Sequence, residues 1–209
     1  MKPVFTSPDA WSGGNIDALI YFGLAPLETA ITVGQALWSS PLLDGPYQER
    51  HIEPSLQEHC DYSGFEDDGC EQLVGVLTHP DGIQSPFVHT TICDEDGLWI
   101  YIGTPTGGLP DSWNIGAYPF DDGKSATWLP SFIATLQEIA EHVHSLCLAQ
   151  GAIYGWDTLA DPEELLAALN GKISSERWAP ISLWTSGVRE DYPATHTEPP
   201  IQPGITSRG

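Results

Sequence analysis

Histidines and cysteines that could share a metal ion are the first chemistry to test. His51, His59, Cys60 and Cys70 fall within twenty residues, with Glu58 and Asp61 beside them. A zinc site wants four N or S donors in a tetrahedron, usually as CxxC-like pairs or as two histidines four apart on a helix. Neither spacing occurs. His142 and His144 are two apart in a helical stretch, about 200° apart around its axis, and cannot converge on one ion. Hard oxygen ligands for calcium are offered by Glu66-Asp67-Asp68 and by Asp94-Glu95-Asp96-Gly97, but a twelve-residue loop with alternating ligands and a terminal Glu is missing.

Gly103-Thr104-Pro105-Thr106-Gly107-Gly108 follows an apolar run and invites comparison with a phosphate-binding loop. It lacks the terminal GK[ST], and Leu109-Pro110-Asp111 cannot open the helix that such a loop needs. There is no GxSxG elbow, and no cysteine has a cationic partner that sequence can nominate. The many carboxylates allow glycosidase-like pairs in too many combinations to single one out. No catalytic, cofactor-binding or metal-ligating residue is therefore assigned, although an enzyme with a site dispersed in sequence stays open.

The elements that would position any site are better marked. Leu129, Phe132, Ile133, Leu136, Ile139, Ala140, Val143 and Cys147 recur at three- and four-residue steps. This places them on one stripe of a long helix, with Gln137, Glu138, Glu141 and His142 turned to water. Thr127 is the expected cap and Gly151 the expected residue past its end. Asn15–Phe22 reads as a strand, followed by a helix opened by Ala25-Pro26 and stopped by Ser39-Ser40-Pro41. Asp44-Gly45-Pro46 reads as a turn.

Residues 72–78, 85–93 and 98–103 read as three strands, joined by the turns His79-Pro80-Asp81-Gly82 and Asp94-Glu95-Asp96-Gly97. Such short connections force an antiparallel meander. In the third strand Leu98, Ile100 and Ile102 alternate with Trp99 and Tyr101, so both its faces are apolar, as expected of a central strand or of one covered by a helix on each side. Residues 152–156 form a short strand. Asp161-Pro162-Glu163-Glu164 starts a helix that Asn170-Gly171 ends, and 178–188 adds a last strand. The expected fold is α+β: an antiparallel β-meander sheet packed by a long amphipathic helix and one or two shorter helices. Residues 1–189 form a single domain and 190–209 a Pro-rich extended tail.

Composition narrows the function classes. The 41% hydrophobic content, with eight Trp, seven Tyr and six Phe, supports a packed core. No apolar run approaches the ~18 residues of a membrane span. Lacking an apolar leader as well, the sequence is expected to be cytoplasmic. Seven Lys and Arg stand against 29 Asp and Glu, a net charge of −22, and no Lys or Arg occurs from His51 to Gly123. Such a field repels nucleic acid and anionic membranes and attracts basic proteins. The same acidity serves solubility, and charge alone does not separate the two roles.

SPDAWSGGNIDALIYFG at residues 7–23, LWSSPLLDGPY at 37–47, and a helix opened by Trp128 and leading to Gly151-Ala-Ile-Tyr-Gly-Trp156 together resemble bacterial immunity proteins of polymorphic toxin systems. The resemblance spans residues 7–156. It implies a small acidic cytoplasmic α+β protein that binds and neutralises a cognate toxin domain without catalysis. The expected partner is then a basic protein. Its contact surface is expected on two loops, through Asp61, Glu66, Asp67, Asp68 and Glu71 in one, and Trp113, Tyr118, Asp121 and Asp122 in the other. A DNA mimic from a mobile element is the alternative. It requires carboxylates in rows at phosphate-like intervals, whereas the sequence clusters them in loops.

Overall fold

The computed structural model describes residues 5–62, 70–110, 113, 127–156, 162–173, 181–185 and 187–192. In chain order its elements are β1 (Asn15–Gly23), α1 (Leu27–Trp38), β2 (Leu43–Tyr47), β3 (Cys70–Thr78), β4 (Gln84–Asp94), β5 (Gly97–Pro105), α2 (Leu129–Cys147), β6 (Gly151–Trp156), α3 (Pro162–Leu169), β7 (Ile181–Thr185) and β8 (Val188–Tyr192). The described strands form one sheet in the order β2-β3-β4-β5-β1-β6-β7-β8, antiparallel at every pairing. The fold is α+β, and no helix among the described residues is long and apolar enough to cross a membrane.

The sheet is covered on both faces. Ile16, Ala18 and Ile20 of β1, with Leu98, Ile100 and Ile102 of β5, pack under α1 and α2. Leu19, Tyr21, Trp99, Tyr101, Ile153 and Leu183 point the other way, toward α3. Every residue of β5 is buried, as its two apolar faces require of a strand at the sheet's centre. Helix α2 buries Leu129, Phe132, Ile133, Leu136, Ile139, Ala140 and Val143. Each large side chain among them contributes roughly 1.5–3 kcal/mol of gross burial free energy.

Several boundaries differ from the sequence reading. Thr127 does not cap α2: Trp128 holds the N-cap position and no side chain caps it. The helix ends at Leu148 in the left-handed region, and Gly151 instead opens β6. A Cβ on Gly151 would lie 2.3 Å from Leu169 Cδ2, so its smallness serves the contact with α3. Asp44-Gly45-Pro46 is not a free turn but part of β2. This strand lies at the sheet edge and shifts register between Asp44 and Tyr47, and such a setting tolerates a proline that a central strand would not. The single last strand is a hairpin, β7 and β8, turning at Gly187 (φ +84°). Glu190, Asp191 and Tyr192 are paired in β8, so the expected tail boundary at residue 190 falls inside the sheet.

One buried polar network ties α1 to β4. Trp38 Nε1 can only donate, and it reaches His89 Nδ1 at 3.1 Å. Nε2 of His89 therefore carries the ring proton and donates to Thr91 Oγ1 at 2.8 Å, which also meets Tyr62 OH at 2.7 Å. The ring of Tyr62 lies across Gly34, where a Cβ would stand 2.1 Å from it. Burial with no compensating carboxylate pushes the His89 pKa down to about 3.

Candidate functional site

Of the residues expected to meet a partner, Asp61 is exposed, just before the buried Tyr62. Glu71 pairs through its backbone with Thr91 in β4. Trp113 is half-buried, stacked on Trp128 (5.5 Å between ring centres, 18°) and set edge-on to His79 and Phe132 at 5.2 and 6.2 Å. Its ring packs on the start of α2. Glu66, Asp67, Asp68, Tyr118, Asp121 and Asp122 lie outside the described residues. His59 sits 3.2 Å from Asp44. No three His, Cys, Asp or Glu among the described residues gather as a metal site.

A different surface stands out at the end of the sheet where β1 finishes. The chain leaves β1 through Gly23 at φ +81°, and a Cβ there would meet Gln150 Nε2 at 2.2 Å. The Gln150 N–H donates to Tyr21 O at 2.7 Å, which fixes residues 148–150 beside Leu24. Cys147 Sγ lies 4.0 Å from Thr32 O, holding the last turn of α2 on α1. The β4–β5 turn arrives at the same place: Tyr21 OH donates to Asp96 O at 3.1 Å, and Cys93 Sγ is 3.9 Å from Ala25 O. Pairing of Gly151 with Thr185, and of Thr185 with Val188, carries this end out to β8.

The side chains collected there are unusual for a protein so acidic. Of the seven large apolar residues exposed among the described ones, five are at this end: Leu24, Leu27, Leu146, Leu148 and Val188. Leu24 is 79% exposed and Leu148 74%. The exposed carboxylates Glu28, Asp94, Glu95 and Asp96 lie on the Leu24 side of this end, in the first turn of α1 and in the β4–β5 turn. Asp94 Oδ1 accepts from the N–H groups of Asp96 and Gly97 at 3.0 and 3.1 Å, which sets the shape of the acidic turn. Exposed leucines and carboxylates at one end of the sheet combine apolar surface with negative charge.

Leu148 adds a second signal. It is the one non-glycine residue with positive φ among those described (φ 53°, ψ 57°), a conformation that costs an ordinary residue roughly 1–2 kcal/mol. Its surroundings hold it in place. Its N–H donates to His144 O at 2.8 Å, and the His144 ring bonds Ala149 O at 2.9 Å while meeting Trp184 edge-on at 4.9 Å. Strain of this kind gathers at functional positions. Here it projects a leucine into water where glycine would fit more easily. In the sequence, Leu146 and Leu148 depart from the apolar stripe of α2, a sign of this face beside the acidic turn Asp94–Gly97.

Comparison of the chain with protein-family models, with curated proteins and with solved structures finds no match to any of them.

Proposed function

We propose that this chain is a non-enzymatic, cytoplasmic acidic protein that binds and neutralises a basic partner protein. A cognate bacterial toxin domain is the partner that the sequence resemblance implies. The observation that carries the reading is the end of the sheet that bears the exposed leucines with carboxylates on one side of them. Carboxylates would steer a cationic protein into encounter, and the exposed leucines would slow its departure once water is excluded. A DNA mimic fits less well, because exposed leucines have no counterpart in a phosphate backbone.

The test begins with a pull-down from the native host at low and moderate salt, followed by kinetics with the recovered protein. A basic partner is expected. The variant Asp94→Asn/Glu95→Gln/Asp96→Asn keeps the carbonyl oxygen at position 94 that closes the turn and removes three charges. Its association is expected to slow by roughly three- to tenfold at low salt, with a shallower dependence on ionic strength. Recovery of a DNA-handling protein, or an unchanged association rate and salt slope, counts against the proposal.

A further inference from the structure

The face of the sheet opposite α1 and α2 holds a depression of about 190 Å³, toward the start of β1 and away from the leucine-bearing end. Its floor includes Gln72, Thr90 and Tyr101, which lie in register across β3, β4 and β5. Trp11 and Arg50 stand at its walls, and Val88 and Pro105 add apolar surface. At ~30 Å³ for each water the space holds about six, below the ~300 Å³ typical of pockets for larger ligands. The occupant it suits is therefore no bigger than a side chain.

The charge lining it is unexpected. Arg50 is the only ionised side chain on the walls, in a chain of net charge −22. Among the described residues no carboxylate pairs with it, and no hydrogen bond engages the side chains of Gln72 or Thr90. Asp17, the nearest buried carboxylate on this face, sits behind Gly103 and does not line the space. A guanidinium offers a planar fork of N–H donors that matches a carboxylate, and the amide and hydroxyl nearby supply further donors. A dianion such as phosphate would leave a charge unbalanced inside an acidic molecule, whereas a monocarboxylate would not.

We propose that this depression is a binding site for a small monocarboxylate group with an apolar body, held by Arg50, Gln72 and Thr90 against Trp11. The group is either a free acid or a carboxylate borne by a bound polypeptide. The test is a titration of the full chain with benzoate, with benzamide as the neutral isostere, followed by two-dimensional ¹H–¹⁵N spectra. Saturable shifts are expected at the Arg50 side chain and at the Gln72 side-chain amide, with benzamide at least about tenfold weaker.

Arg50→Gln should lose about tenfold or more of the benzoate affinity, and Arg50→Lys should keep part of it. Arg50 is exposed and unpaired among the described residues, so both variants should fold, which thermal unfolding checks. A short peptide ending in a phenylalanine carboxylate, compared with its amidated form, separates the two sources. Tighter binding of the peptide acid than of benzoate assigns the site to a polypeptide, and the reverse order assigns it to a free acid. Equal binding of benzoate and benzamide, absence of saturable shifts, or an unchanged affinity in Arg50→Gln overturns the proposal.

Discussion

Lowering the pH from 7 to 5 is expected to cost this protein about 4 kcal/mol of folding stability, read by denaturant unfolding at each pH. The loss comes from two buried rings. His89 is held to about 3 by burial, and His79 to about 4 by burial, opposed in part by nearby Asp81. Both bind a proton more tightly in the unfolded chain, where the ordinary value is near 6.5. Their contribution is complete above about pH 6.5 and falls as pH drops. The fall continues until the folded rings themselves protonate, near 4 for His79 and near 3 for His89.

In the middle of that window two protons yield a slope of about 2.7 kcal/mol per pH unit, large against a typical total of ~5–15 kcal/mol. Carboxylate protonation, which relieves the repulsion within a −22 chain, sets in mostly below pH 5 and acts in the opposite direction, so the reading belongs between pH 6.5 and 5. His89→Gln can still accept from Trp38 and donate to Thr91 but cannot take up the proton. It should halve the slope, and an undiminished slope would place the acid sensitivity elsewhere.

Leu148→Gly is expected to make the protein more stable and worse at binding. Glycine relieves the left-handed strain, and Leu148 gives up little burial because it is already 74% exposed. A gain of about 1 kcal/mol is expected after the greater unfolded-state freedom of glycine is subtracted. If the leucine is covered by a partner, losing it removes roughly 1.5–3 kcal/mol of apolar burial, about tenfold or more in affinity. These opposite signs distinguish a functional leucine from an incidental one. A stabilised variant with undiminished partner affinity would put Leu148 outside the interface.

Much of the fold was legible because the strongest sequence signals are periodic. The stripe on α2, the alternation in β5 and the turn at Asp94–Gly97 all depend on local spacing, and all three stand in the structure. β2 was not legible, since Gly45-Pro46 reads as a turn wherever the neighbouring strand is unknown. An edge position that tolerates the missing donor is a property of the sheet, not of the pentapeptide. The split of the last strand into β7 and β8 turns on Gly187, a single residue. The candidate surface was half legible. Its acidic turn is plain in the sequence, but Leu24, Leu148 and Val188 are far apart in the chain and reach the same end of the sheet only when β1, β6, β7 and β8 pair. Trp113 illustrates the converse, an aromatic in a loop-like stretch whose ring packs on the start of α2.

The most direct measurement is site-specific photo-cross-linking in the native host, with benzoylphenylalanine at position 148 and, as control, at position 56. Leu56 is as exposed as Leu148 (78% against 74%) but lies in the loop after β2. The expected result is a cross-link from position 148, and not from position 56, to a protein that mass spectrometry identifies as basic. Equal cross-linking from both positions, or capture of an acidic protein or of nucleic acid at position 148, would contradict a basic partner docked on the leucine-bearing end.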